Sequence, residues 1–171
     1  MRSLEQQMSV YAAYHQDARN KATHFVGVPM IVFSLMIPLG WLRVDLGGFA
    51  LTAALVVSVV LLLYYLLLDL PLGIAMCVVF GALLLAADPL SLLPFGASLG
   101  WFLALFIAGW ALQLLGHVYE GRKPALVDNL FQIFVAPIFL AAEAFFALGY
   151  KPGLQSAVQR RALELRAAAA V

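Results

Sequence analysis

Long uncharged apolar runs constrain this chain more than any other feature of its 171 residues. A transmembrane helix needs about 20 apolar residues to cross a hydrocarbon core of about 30 Å. Four runs reach or approach that length: Phe25–Leu42, Phe49–Leu68, Leu70–Ala87 and Leu99–Val118. A fifth run, Leu130–Ala142, reaches it only by continuing through Glu143 to Tyr150. The sequence therefore predicts an all-α integral membrane protein, a bundle of four core transmembrane helices with a fifth apolar helix.

The two ends of the chain predict helices of another kind. Between Ser3 and Tyr14, apolar and polar residues segregate at helical spacing, which predicts an amphipathic helix at the membrane interface. Its apolar residues are Leu4, Met8, Tyr11 and Ala12, and its polar residues are Glu5, Gln6 and Gln7. The tail, residues 154–171, is expected to be peripheral and in part disordered. The whole chain, residues 1–171, is expected to form a single membrane-embedded domain.

The composition argues against a nucleic-acid-binding protein and against a fold held by intrachain disulfides. Charged residues make up only 11% of the chain and the net charge is +1, which gives no electrostatic case for binding nucleic acid. Cys77 is the only cysteine, which excludes an intrachain disulfide. We therefore expect the lipid bilayer as the main partner, and whether the protein forms a homo-oligomer is left open.

Each of the three histidines lies at an end of an apolar run. His15 and His24 precede the first run, and His117 closes the fourth. If each run between His24 and His117 crosses the bilayer, the chain crosses four times and returns to the face from which it started. Ligands on opposite faces would lie about 30 Å apart and could not meet. We therefore expect all three imidazoles at one face, where they are candidate metal ligands.

Positive charge predicts that this face is cytoplasmic. Arg43 alone would lie outside, whereas five basic residues would lie inside: Arg2, Arg19, Lys21, Arg122 and Lys123. The fifth run leaves three topologies open, since it can cross, lie in the interface or re-enter at Pro137. The basic residues of the tail favour no net crossing, whereas the length and hydropathy of the run favour a crossing, and the balance is slightly toward no net crossing. We expect a bacterial inner membrane, or the endoplasmic reticulum if the chain is eukaryotic.

A shared metal requires a bend between the first two histidines. His15 and His24 are nine residues apart, which on one straight helix means about half a turn out of phase and about 13 Å of rise. The segment from Asp17 to Asn20 offers residues that cap helices, so the chain can bend there. Asn20 lies four residues before His24 and shares its helical face.

The second polar cluster lies at the end of the fourth run. Gln113, His117 and Glu120 share one helical face, and Gly116 would let another helix or a metal approach the backbone closely. Histidines at membrane interfaces are commonly polar anchors, so spacing alone leaves both an anchor and a metal site open. Ionisable groups at membrane depth are costly, which favours a function for His117 and Glu120 if they are buried.

At these residues the chain resembles the membrane-bound 2-hydroxy fatty acid dioxygenases, the Mpo-like family. The family pattern Tyr-x3-His-x4-Asn-x3-His-x2-Gly-x-Pro is matched by Tyr11, His15, Asn20, His24, Gly27 and Pro29. A second pattern, Gln-x2-Gly-His-x2-Glu-x-Arg-x-Pro-Ala, is matched by Gln113, Gly116, His117, Glu120, Arg122, Pro124 and Ala125. Further matches are Asp128, Asn129 and the segment from Ala136 to Glu143.

The resemblance implies a non-haem, iron(II)-dependent dioxygenase of fatty acid α-oxidation. Its substrates would be a long-chain 2-hydroxy fatty acid, which is shortened by one carbon, and O2. His15, His24 and His117 would hold Fe(II), with Zn(II) as a substitute in a purified sample. Three protein ligands leave open positions for the carboxylate and 2-hydroxyl of the substrate and for dioxygen. The acyl tail would run into the apolar bundle.

The resemblance also suggests roles for the other motif residues. Glu120 would be a fourth ligand or would orient a histidine. Asn20 and Gln113 are further candidate catalytic residues. The candidate substrate-binding residues are Arg122, Lys123 and Tyr11, of which Arg122 or Lys123 would pair with the substrate carboxylate.

Two other functions stay open on the residues alone. The same histidines would suit a zinc hydrolase, which metal analysis of the purified protein would distinguish from an iron enzyme. A non-enzymatic transporter or scaffold would bind no metal and would not bring polar groups together at one face. Haem held by two histidines is less favoured, because no two histidines lie on facing span interiors.

Overall fold

Seven helices and a short β-hairpin make up the part of the chain that the computed structural model describes, residues 3–124, 127 and 129–168. In chain order the helices are α1 (Leu4–Ala13), α2 (Ala18–Trp41), α3 (Ala53–Leu68), α4 (Leu70–Ser91), α5 (Phe95–Glu120), α6 (Gln132–Ala147) and α7 (Pro152–Ala168). The hairpin strands are β1 (Arg43–Asp45) and β2 (Ala50–Thr52). Arg2, Ala125, Asp128 and residues 169–171, which entered the sequence patterns, lie outside the described residues.

The apolar runs form helices, and among the described residues three of these are long and apolar enough to cross a membrane. They are α2, α4 and α5, with 24, 22 and 26 residues. The predominantly helical fold is therefore confirmed, and its three long apolar helices are consistent with a membrane protein. Helices α3 and α6 are apolar but have 16 residues each, which gives a length of about 24 Å. A fourth crossing by α3 and the course of α6 in the membrane stay predictions.

Two local features were not anticipated from the apolar runs. Pro137 does not interrupt the fifth run, because α6 continues through it as one helix. The helix can accommodate the lost backbone hydrogen bond because its neighbours Val135, Ala136, Ile138 and Phe139 are buried and hold the turns in place. The segment between α2 and α3 is a β-hairpin, which run lengths do not reveal. Its turn has Gly47 and Gly48 at φ of 74° and 101°, values that favour glycine.

The described chain divides into two compact units. One contains Met1–Phe25 and Gln113–Val171, and the other contains Val26–Leu112. The first unit includes all three histidines and packs α1 against α6 and α7. The second packs α3 against α4, with the Asp69 carboxylate capping α4 at the Leu72 amide. The expectation of one domain over residues 1–171 stays a prediction.

Helix α1 is a core element of the first unit. Ser3 caps it in a reciprocal arrangement with Gln6, and Met8 is fully buried. Gln7, which the sequence pattern put on the polar side, is also buried. The pattern was wrong here because α1 packs against both α6 and α7, which the amphipathic pattern of one helix cannot anticipate.

A break between α1 and α2 separates the first two histidines, as a shared metal requires. Helix α1 ends at Ala13 and α2 begins at Ala18. The Asp17 carboxylate accepts a hydrogen bond of 2.8 Å from the Arg19 amide at the start of α2. The side-chain hydrogen bond from Arg19 lowers the pKa of Asp17 to about 2, so this cap is charged at neutral pH.

Gly116 lets the end of α5 approach the start of α2 closely. A Cβ atom at this position would lie 2.3 Å from Thr23 Oγ1 and 2.5 Å from Asn20 Oδ1. Thr23 cannot give way cheaply, because its hydroxyl donates a 2.8 Å hydrogen bond to the Asn20 carbonyl and its branched side chain is stiff. The contact sets the spacing of α2 and α5 where they carry His24 and His117.

We predict that Gly116→Ala destabilises the protein by about 1–3 kcal/mol, the range typical of overpacking. Gly100→Ala on the same helix is the control, because a Cβ there meets no described atom within 4 Å. Better helix propensity should make that control neutral or stabilising by up to about 1 kcal/mol. Thermal unfolding in detergent measures both variants. Equal stability of the two would contradict a close contact at Gly116.

Candidate metal centre

The three histidines converge in the first unit. One ring nitrogen from each lies within 4.8 Å of those of the other two. The ring centroids of His15 and His24 are 4.5 Å apart. The ring centroid of His117 lies 5.0 Å from that of His15 and 5.1 Å from that of His24. All three side chains are buried, with 1%, 3% and 7% of their residue surface exposed. Imidazoles that serve only as interfacial anchors would be solvated, so the burial favours a site.

Two backbone carbonyls fix how His15 and His24 face each other. His15 Nδ1 lies 2.7 Å from the Tyr11 carbonyl oxygen, and His24 Nδ1 lies 2.9 Å from the Asn20 carbonyl oxygen. A carbonyl oxygen only accepts, so both Nδ1 atoms must be protonated and donate. In the neutral rings, the lone pairs are then on the two Nε2 atoms, which are 3.1 Å apart.

Two facing lone pairs at this distance require a positive charge between them. A proton would make one ring an imidazolium, but burial, followed by the charge of His24, holds the pKa of His15 well below its usual value. A cation that accepts both lone pairs removes the repulsion without charging either ring. His117 adds a buried Nδ1 atom that has no hydrogen-bond partner among the described residues. The three side chains therefore fit a metal ion.

The donor set narrows the choice of metal. Neutral imidazole suits zinc, copper, iron and nickel, whereas magnesium and calcium favour oxygen ligands. Three protein ligands also leave coordination positions open, as in catalytic rather than structural sites. The cluster is therefore a candidate catalytic centre for a transition metal.

Tyr11 and Phe139 hold the His15 ring in place. The Tyr11 ring stacks on His15 with centroids 4.0 Å apart and an interplanar angle of 4°. Phe139 of α6 lies 4.6 Å from Tyr11 and 6.2 Å from His15 between centroids. Tyr11 thus orients His15 through both its ring and its carbonyl, and its predicted contact with substrate stays a prediction.

Glu120 has both carboxylate oxygens occupied. Oε2 accepts hydrogen bonds from the backbone amides of Gln16 and Asp17 at 2.9 and 2.8 Å. It also accepts one of 3.1 Å from Asn20 Nδ2. Oε1 pairs with Arg166 of α7, and the Glu120 side chain is 1% exposed. The arrangement favours a positioning role for Glu120, since the amides it binds immediately follow His15.

Asn20 connects this carboxylate to His24. Its side chain donates to Glu120, and its carbonyl oxygen accepts from His24 Nδ1. Its Oδ1 atom is buried without a hydrogen-bond partner within the described ranges. Gln113 lies one turn before His117 on α5, and its buried Nε2 is likewise unpartnered there. The centre thus has an unused acceptor and an unused donor beside the imidazoles.

The two basic candidates lie just beyond α5. Arg122 is half-buried and Lys123 is exposed, and they follow Gly121, whose φ is 65°. The burial of Arg122 makes it the better candidate of the two for a carboxylate held near the histidines.

Sequence reasoning missed Arg166 as a part of this site. Val158, Ala162 and Arg166 are spaced four residues apart on α7, and the first two are buried. That spacing marks one packed helical face and was the available signal. The tail was instead expected to be peripheral.

Comparisons with known proteins identify the family of this chain. The chain matches over residues 1–148 the sequence model of a family described as 2-hydroxy-palmitic acid dioxygenase Mpo1-like. It is 38% identical over 159 residues to a Saccharomyces cerevisiae protein named 2-hydroxy-palmitic acid dioxygenase MPO1, a match that covers 91% of this chain and 87% of the yeast protein. No solved structure matches the chain. With a match of this extent, the chain belongs to the Mpo1-like family of 2-hydroxy-palmitic acid dioxygenases.

Proposed function

We propose that this protein is a membrane-bound, iron(II)-dependent dioxygenase that shortens a long-chain 2-hydroxy fatty acid by one carbon. One observation carries the proposal: the Nε2 atoms of the buried His15 and His24 face each other at 3.1 Å, and the nearby His117 Nδ1 has no hydrogen-bond partner among the described residues. Membership in the Mpo1-like family supports the substrate class and the use of dioxygen. The donor set suits iron.

The overall reaction that we propose is balanced with O2 as its only oxidant. The bond between C1 and C2 of the 2-hydroxy acid breaks, and C1 leaves as carbon dioxide. C2 becomes the carboxyl carbon of an acid one carbon shorter, and one water forms. Carbon loses four electrons, which reduce one O2. Bound iron(II) supplies the redox chemistry that lets spin-paired substrate react with O2.

The chain's own residues would bind and orient the substrate. A 2-hydroxy acid presents one hydroxyl donor beside a carboxylate acceptor. Asn20 Oδ1 and Gln113 Nε2 are a buried acceptor and a buried donor without partners in the described structure, so they complement those two groups. We assign the hydroxyl to Asn20 and a carboxylate oxygen to Gln113. Arg122 would neutralise the carboxylate charge, with Lys123 at the outer edge.

Apolar walls around the histidines would exclude water from the reacting carbons. Tyr11 and Phe139 cover one side of His15 with buried rings. A dry site strengthens the polar contacts to the substrate and restricts side reactions. We place the centre at the cytoplasmic face of a bacterial inner membrane, from the basic residues Arg19, Lys21, Arg122 and Lys123 near it.

The first prediction concerns O2. The iron-loaded protein should convert 2-hydroxypalmitic acid into the C15 acid in air and should form none under strict anaerobiosis. Mass spectrometry of the fatty acids measures the product, and label from 18O2 should enter its carboxyl group. Equal product without oxygen would exclude a dioxygenase. Equal product from a zinc-loaded, iron-free sample would exclude iron as the metal that the reaction requires.

The second prediction concerns His117. Replacing it with Ala removes one of three ligands, so iron retention and turnover should fall by more than about 100-fold, beyond the effect of groups that only orient a ligand. The control is Leu114→Ala, because Leu114 is 54% exposed on the same helix. Metal content and thermal unfolding are measured on both. Full iron retention by the folded His117→Ala protein would contradict the assignment.

The third prediction concerns Gln113. Replacing it with Leu removes a hydrogen bond to a charged carboxylate, so substrate affinity should fall about 10–100-fold, since such bonds contribute about 1.5–3 kcal/mol. Anaerobic binding of 2-hydroxypalmitic acid measures the change, and iron retention should stay the same. Gln155→Leu on the exposed side of α7 is the control. Unchanged substrate affinity in Gln113→Leu would remove Gln113 from the substrate site.

A further inference from the structure

We propose that Arg166, on the C-terminal helix α7, is a positioning residue that completes the metal centre by holding Glu120. Its Nη1 atom pairs with Glu120 Oε1 and lies 3.5 Å from the Ala13 carbonyl oxygen. Helix α7 lies beyond residues 1–148, which the family model matches. The role rests on the proposed metal centre.

Arg166 is the counter-charge of a buried carboxylate. The Glu120 side chain is 1% exposed, and three donors already occupy its Oε2 atom. Arg166 is its ion-pair partner within the described part of the chain. Removing the guanidinium would leave Oε1 buried and unpaired, which strongly disfavours the charged carboxylate. Glu120 would then turn away from the bend or shift within the site.

Either change would loosen the bend that carries His15. The Gln16 and Asp17 amides donate to Glu120 Oε2, and they directly follow His15 in the break between α1 and α2. Without that acceptor, the bend loses the two hydrogen bonds that fix it against α5. The Nε2 atoms of His15 and His24 would then no longer be held in mutual reach. Groups that orient ligands in this way typically contribute about 10–100-fold to metal affinity.

Other contacts of α7 hold the Arg166 guanidinium next to Glu120. Val158 and Ala162 are buried at 3% and 0% exposure and precede Arg166 at four-residue spacing. Gln159 Nε2 donates a 2.6 Å hydrogen bond to Gln16 Oε1, in the same bend. These contacts place α7 against α1 and the bend, and they do not involve the Arg166 side chain. A variant at Arg166 should therefore remain folded.

Three variants of the full-length protein in detergent test the role, with cobalt(II) as the metal probe. Arg166→Ala should weaken cobalt affinity about 10–100-fold in chelator competition and change the cobalt absorption spectrum. Arg166→Lys keeps the positive charge but lacks the planar guanidinium group, so its cobalt affinity should lie between those of Arg166→Ala and the unmodified protein. Arg161→Ala is the control, because Arg161 is exposed on the same helix. Equal affinities for all three would overturn the role.

A double variant shows whether Arg166 acts through Glu120. In a Glu120→Gln background, Arg166→Ala should weaken cobalt binding by less than about threefold further, because the group it positions is already altered. Fully multiplicative losses would show that Arg166 acts by another route and would overturn the proposal.

Hydrogen exchange of the metal-free protein tests the positioning role of Arg166 independently of the proposed dioxygenase reaction. The Gln16 and Asp17 amides should exchange faster in Arg166→Ala than in Arg161→Ala, while α4 should exchange equally in both. Unchanged exchange at these two amides would overturn the role even if the enzyme turns over substrate. Faster exchange with weaker cobalt binding would support it even if no 2-hydroxy acid were ever consumed, in which case only the proposed reaction fails.

Discussion

The buried carboxylate of Glu120 is the interaction on which the candidate centre depends. It binds two backbone amides that follow His15, the side chain of Asn20 and the guanidinium of Arg166. These partners come from the bend after α1, from α2 and from α7. A single charged group thus joins the elements that carry the histidines. A neutral residue could not satisfy these donors, all of which are drawn toward negative charge.

The orientation of the imidazoles follows from backbone carbonyls rather than from other side chains. Tyr11 and Asn20 each present a carbonyl oxygen to the Nδ1 atom of a histidine four residues later. The helical repeat that places such carbonyls near residue i+4 therefore also selects the tautomer. This leaves the Nε2 lone pairs of His15 and His24 directed at each other. The candidate metal site thus follows in part from where these two carbonyls lie.

Sequence reasoning predicted the features that can be recognised within one segment or by counting the apolar runs. Run lengths predicted the helices, and counting the runs between His24 and His117 predicted that the histidines can meet. The nine-residue spacing of His15 and His24 predicted the bend that the structure shows between Ala13 and Ala18. The ligand role of the histidines and the metal identity stay predictions, since sequence and geometry both allow several transition metals.

The features that sequence reasoning missed depend on contacts between distant segments. Gln7 is buried where α1 packs against both α6 and α7, and α6 continues through Pro137 among buried neighbours. Arg166 meets Glu120 across 46 residues of sequence. No periodicity within one helix reveals such a pair. Only the four-residue spacing of Val158, Ala162 and Arg166 pointed to a packed face.

The central claim is that the three imidazoles hold one iron ion, and X-ray absorption tests it most directly. Protein purified anaerobically with iron(II) should show an iron edge and a first shell of nitrogen ligands at about 2 Å, with the multiple-scattering pattern of imidazole. His117→Ala should lose one imidazole from that pattern or lose the iron. A first shell without imidazole, or one that is the same in His117→Ala, would contradict the account.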